Sequence, residues 1–231
     1  MSDLDFLGAV RRENDGFTAC LEDGDLSAPV PGCGTWTLYD LADHHGSGNL
    51  WAAAAITERH GNLDPPPAPT DRAALVPWFR AAAATLEDAL ATDPDAEAWT
   101  IWPPRTVGFW RHRRAQESMV HRWDAEHTLG RAEPLDPQLA ADGVAEVVDV
   151  MLPRQVKLGR AMPPDAGVLL TATDAGMSWT LGPGDPVGQV SGRAEDLLLA
   201  LWRRRRYDDP TLIWDGDAAA ARGVLHRPLT P

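Results

Sequence analysis

Two cysteines, Cys20 and Cys33, are all that the 231 residues contain. That is too few for a disulfide framework, and their spacing is not that of a C-x-x-C motif, so two reduced thiols are expected. No run of eighteen apolar residues occurs, which excludes a conventional membrane-spanning helix. The opening "MSDLDFLGAVRRENDG" lacks the basic-then-apolar layout of a secretory signal, and the expectation is a soluble, cytoplasmic protein without a membrane partner. Positive charge is also scarce. Against 34 acidic residues stand 21 basic ones, for a formal net charge of −13, and this disfavours general binding to nucleic acid or anionic membranes. Lysine is nearly missing, Lys157 being the single example. No internal repeat is visible.

What the chain does contain argues for a folded protein. Ten tryptophans and an apolar fraction of 44% supply enough hydrophobic surface for one large domain or two ordinary ones. The first two-thirds reads as helices. Leu4, Leu7, Val10, Phe17 and Leu21 follow the spacing of an amphipathic helix over about 4–21. After a Pro/Gly turn, Thr35 or Thr37 offers an N-cap to a helix reaching Gly61, with a kink expected near Gly46 to Gly48. A third helix is expected over 71–92, and then a long connection holding a short extended piece. A fourth over 107–129 stops at Gly130, which suits a left-handed cap. A fifth over 136–158 has Pro137 at an early, harmless position.

Beyond that the pattern changes. "GVLLTATD", "MSWTLG" and "PVGQVSG" are short β-prone runs with the spacing of a small antiparallel sheet. They lead into a helix at "RAEDLLLALWRRRR", a strand and turn at "TLIWDGD", and a closing helix at "AAAARGVLHR". "MPPD", at 162–165, stops a helix. The expected architecture is therefore α+β, with a helical unit over 1–160 and a small α+β unit over 161–231.

The segment "AQESMVHRWDAEH" sets two glutamates, two histidines and an aspartate in thirteen residues. Glu117 and His121 are four apart, so on a helix they leave the same face one turn from each other and can address one cation. The same spacing is common on solvated helices, where it does nothing more. A catalytic zinc site takes about three protein ligands and keeps an open position, so a third ligand must come from elsewhere. His44 and His45 on the second helix are both candidates, since bundles build metal sites from facing helices.

Three separated motifs then carry a resemblance. "TWTLYDLADH", "FWRHRRAQESMVHRWDAEHTLG" and "VSGRAEDLLLALWRRR" followed by "LIWDGD" occur in the order of the mycothiol-dependent maleylpyruvate isomerase family, a branch of the DinB/YfiT-like metal-binding helical bundles whose small second domain is similar to sterol-carrier folds. The resemblance implies that His44, Glu117 and His121 are ligands of Zn2+ or another divalent metal. It implies a catalytic or supporting role for Asp124, for which a surface salt bridge to Arg122 or Arg113 is the plain alternative. It also implies a substrate-facing arginine at Arg204, although Arg203 stands where the family often has glycine and leaves the register among Arg203, Arg204, Arg205 and Arg206 open.

The implied chemistry is cis–trans isomerisation. Mycothiol, the low-molecular-weight thiol cosubstrate, adds as its thiolate to an activated double bond, the bond rotates, and the thiol leaves. An arginine grips a substrate carboxylate meanwhile. A mycothiol S-transferase acting on an electrophilic metabolite, a non-catalytic metal-binding protein and a metal-assisted hydrolase are the other readings of the same ligands. The expected partners are a small electrophile and the thiol, and the expected state is a monomer.

Overall fold

The computed structural model describes residues 4–231. Contacts divide the chain into two compact units, one ending at Glu133 and the other beginning at Pro134.

The first unit is built from four helices: α1 (Phe6–Asp23), α2 (Leu38–Thr57), α3 (Arg72–Leu90) and α4 (Val107–Thr128). Helix α1 packs on α3 and α4, and α2 packs on the same two. Of the apolar positions expected of α1, Val10, Phe17 and Leu21 are buried, Phe17 and Leu21 in a cluster with Leu38, Leu41, Leu75 and Phe79, whereas Leu4 precedes the helix and is half-buried, as is Leu7. Thr37, not Thr35, starts α2 through a capping box, its hydroxyl accepting from Asp40 N while the Asp40 carboxylate accepts from Thr37 N. The weak point expected in α2 does not interrupt it. Residues 46–48 continue a single α-helix, because tertiary packing uses the missing side chains. A Cβ on Gly46 would lie 2.4 Å from the Trp78 ring, and one on Gly48 would lie 3.0 Å from the Arg114 guanidinium. Gly130, with φ of 70°, closes α4 in the left-handed conformation as expected. The extended piece in the preceding connection is a bridge between Glu97 and Thr106.

The second unit begins earlier than the 161 expected from the sequence. Helix α5 (Pro137–Glu146) packs on α7 (Ala194–Leu201), and Leu135 N donates to the Glu195 carboxylate at 2.9 Å. The helix-stopping "MPPD" marks where a helix ends, whereas a boundary lies where contacts thin out. The single helix expected over 136–158 is also interrupted. A π-helical turn, Val147–Met151, separates α5 from α6 (Leu152–Lys157). Pro153 accounts for it: proline has no N–H to give and its ring crowds the carbonyl one turn back, so the ladder widens there.

The sheet is mixed rather than antiparallel, with order β2-β1-β3-β4 for β1 (Gly167–Ala172), β2 (Met177–Leu181), β3 (Pro186–Gly192) and β4 (Ile213–Gly216). β1 and β2 form a hairpin, and β3 then pairs with the other edge of β1, where a strand leaving β2 must run parallel to β1. Helix α8 (Ala218–Leu225) packs on β3 and β1.

Candidate metal centre

Helices α2 and α4 bring His44, Glu117 and His121 together. Their ligating atoms all lie within 4.8 Å of one another, the one such cluster of three among the described residues. Donors about 2.0–2.2 Å from a tetrahedral ion sit roughly 3.3–3.6 Å apart, so side-chain torsions suffice to close the set. The ring centroids of His44 and His121 are 5.3 Å apart and nearly perpendicular. Trp36 lies beside His44, at 4.8 Å, which gives the tryptophan of "TWTLYDLADH" its place at the site.

Hydrogen bonds around His121 decide what the site can hold. Asp124 is buried and its Oδ2 stands 3.2 Å from His121 Nδ1. An ionised carboxylate can only accept, so Asp124 favours a proton on Nδ1, and Nε2 would be the ligating atom once deprotonated. Nε2 lies 3.1 Å from Glu117 Oε2. A proton on Nε2 satisfies this contact in the absence of metal, and a divalent cation reached by His44 as well would replace that proton. The other Glu117 oxygen is engaged by Arg113, one turn earlier on α4. The donor set, two imidazoles and one carboxylate, therefore fits a borderline cation such as Zn2+.

His45 is not part of this set. Its Nδ1 stands 3.0 Å from Arg114 NH2, which also donates to Asn49 Oδ1 at 2.7 Å. Arg114 is buried; burial and then the charge of Arg113 pull its guanidinium down to about 9, and it stays charged at neutral pH. Burial, then Arg114, His121 and His44, hold His45 well below the ordinary imidazole value. His44 is shifted in the same direction, by desolvation and then by His121 and Arg114. The residue is exposed, so water offsets part of that desolvation; the cationic neighbours favour the neutral, ligating form all the same.

Asp124 is buried rather than at the surface, and both arginines considered as its partners are engaged by other carboxylates. Arg122 is held by Glu13 and Glu126 within the helical unit, and Arg113 by Glu117. Besides His121, Asp124 contacts Cys33, whose Sγ lies 3.7 Å from Oδ2. Both cysteines are free thiols. Sequence reasoning missed Cys33, Arg113 and Arg114. Arg113 stands four residues before Glu117 and was legible as an ion pair, whereas Cys33 is 91 residues from Asp124 and carried no local signal.

Arg204 belongs to the second unit. Its NH1 donates to Trp202 O at 3.0 Å, and the guanidinium lies 5.8 Å from the centre of the Trp202 ring. Arg205 pairs with Asp196 and Asp209, and Arg206 with Asp208. Arg203 adopts φ of 60°, a conformation that suits glycine.

Comparison with known proteins bears on the fold and the family. The profile of the "Mycothiol maleylpyruvate isomerase N-terminal domain" matches residues 7–126, and that of the "MDMPI C-terminal domain" matches 138–223, one on each side of the boundary at Glu133. Uncharacterised proteins of Mycobacterium tuberculosis, from strains CDC 1551 / Oshkosh and ATCC 25618 / H37Rv, are each 32% identical over 151 residues, covering 62% of this chain and 77% of theirs. The crystal structure of the mycothiol-dependent maleylpyruvate isomerase superposes with a TM-score of 0.69 at 14% identity, over 93% of this chain and 95% of that one. A histidine-to-alanine mutant of that isomerase gives 0.64 at 15% identity, over 86% and 90%. At such identities the superposition speaks for the shared α+β fold, and the two profile matches together span nearly the whole sequence. The chain belongs to the mycothiol-dependent maleylpyruvate isomerase family.

Proposed function

We propose that this protein is a mycothiol-dependent isomerase in which His44, Glu117 and His121 hold a divalent cation, Zn2+ by the chemistry of the donors. What supports the reading is the convergence of three side chains with ligating atoms from two helices, His121 Nε2 lying 3.1 Å from a carboxylate oxygen of Glu117. When bound, such a cation supplies positive charge and an open coordination position that favours the ionised form of a thiol. The remaining roles fall to the chain itself. Asp124 keeps the His121 proton on Nδ1 and fixes the ring. Arg113 occupies Oε1 of Glu117 and leaves Oε2 as the single donor. In the second unit, Arg204 is the guanidinium the family resemblance implies for a substrate carboxylate. Addition to an activated double bond, rotation and loss of the thiol leave mass and oxidation state unchanged, so no redox group is required.

Metal content tests the site. Purified His44→Ala, Glu117→Ala and His121→Ala variants are expected to lose the bound metal of the wild type, and unchanged content in all three would refute the centre. Incubation with mycothiol and candidate electrophiles, followed by mass spectrometry, tests the reaction. A product of unchanged mass with catalytic use of thiol supports isomerisation. A persistent thiol adduct would replace it with S-transfer, and no thiol-dependent conversion would leave a metal-binding protein. The reading also places the enzyme in the cytoplasm as a monomer, and a dimer-sized elution on size-exclusion chromatography would overturn the second point.

A further inference from the structure

The second unit holds a concentration of positive charge for which the metal centre has no use. Helix α7 ends in a Schellman turn: Arg203 N donates to Ala200 O at 3.0 Å and Arg204 N to Leu199 O at 2.7 Å. The left-handed position of that turn is Arg203. Glycine adopts this conformation freely, while any side chain brings its Cβ against the following carbonyl. A guanidinium is thus kept at 203 against a backbone preference, and strain retained in this way tends to accompany function.

The side chain so placed lines a cavity of about 620 Å3 together with Arg205, Arg206, Arg222, His226 and Asp208, a volume in the range of small-molecule sites. Arg203 NH2 donates to His226 O at 3.0 Å, at the end of α8. The charges do not cancel. Arg206 is matched by Asp208, and Arg205 by Asp196 and Asp209. Among the described residues, neither Arg203 nor Arg222 has a carboxylate within ion-pair distance. Arg222 lies 4.7 Å from the centre of the Trp214 ring, which orients its guanidinium without neutralising it. The Nε atoms of Arg205 and Arg222 are buried without a hydrogen-bond partner. Asp208 feels the charge of Arg222 as well as that of Arg206, yet one carboxylate among four arginines leaves the lining net positive, and two guanidiniums without a paired carboxylate make an anion site by electrostatics and by donor geometry.

We propose that this cavity binds a small anionic molecule through a carboxylate or phosphate group held by Arg203 and Arg222. Arg204 is not among its lining residues, so the site stands apart from the substrate arginine assigned above and needs no metal. Isothermal titration of the full-length protein with inorganic phosphate and, separately, with succinate, at constant ionic strength, tests it. Saturable binding of at least one probe is expected. Phosphate alone assigns a phosphate ligand, succinate alone a carboxylate ligand, and both together an oxyanion site of either kind. Arg203→Gly and Arg222→Gln are each expected to weaken binding by at least about tenfold. Arg203→Gly is also expected to melt no lower than the wild type in anion-free buffer, because glycine relieves the turn. That combination separates a ligand role from a structural one, and Arg222→Gln keeps the test open if the first variant folds poorly. Titration is repeated after metal removal with 1,10-phenanthroline, a neutral chelator that cannot itself fill an anion site. No saturable binding of either probe, undiminished affinity in both variants, or loss of binding with the chelator would overturn the proposal. A failed metal centre would leave the result standing.

Discussion

Asp124 shows how much one residue's meaning depends on what lies next to it. Three residues after His121, it was equally readable as a surface ion-pair partner and as a support for a metal ligand. Its burial and its 3.2 Å contact with His121 Nδ1 leave the supporting role as the one the geometry favours. Asp124→Asn keeps the shape of the side chain but weakens the pull on the Nδ1 proton. Metal affinity is expected to fall by about 10–100-fold, the usual cost of losing such a support. Competition against a chromophoric chelator measures it, and an unaltered affinity would detach Asp124 from the centre. The choice between His44 and His45 has the same character. Adjacent in sequence, they point to different partners on α4, and the Arg114 bond to His45 Nδ1 is what removes His45 from the ligand set. No local pattern encodes that bond.

At the scale of elements, caps were legible and interruptions were not. Asp136 accepts from Gln138 N and Leu139 N, and Pro137 follows it at the head of α5, because capping chemistry is confined to a few consecutive residues. By contrast, Gly46 and Gly48 read as weak points in α2, yet they are where other elements approach. Gly46→Ala tests this. Helix propensity alone would favour alanine by about 1 kcal/mol, but the added Cβ would lie 2.4 Å from Trp78 and 3.3 Å from Phe79. Overpacking costs about 1–3 kcal/mol, so the variant is expected to lose stability. Gly223, inside α8, has nothing within 4 Å of an added Cβ, and Gly223→Ala is expected to raise stability by about 0.5–1 kcal/mol. Thermal unfolding compares the two. A gain in both would mean that propensity, not packing, governs α2.

For the molecule as a whole, the placement of 137–157 with the second unit is the main departure from what the sequence suggested. Helix α7 buries Leu197, Leu198 and Leu199, and α5 packs against it. A fragment of residues 134–231 keeps that packing, whereas one of 161–231 bares the apolar surface α5 covers. The longer fragment is expected to unfold cooperatively by far-UV circular dichroism, and the shorter to show no transition. Cooperative melting of the 161–231 fragment would restore the later boundary. The division also orders the chemistry: the candidate metal ligands lie wholly in the first unit, and the arginine cavity wholly in the second.

By itself the sequence determined what short-range physics governs. The helices follow from apolar periodicity, their ends from capping residues, and the shared face of Glu117 and His121 from the 3.6-residue turn. Tertiary structure decided which histidine completes the cluster, that Cys33 reaches Asp124, that β3 runs parallel to β1, and where one unit stops. Each of these depends on groups far apart in the chain meeting in a packed interior. There the outcome is set by complementary shape and by pairing of buried charge, and local spacing carries no record of either.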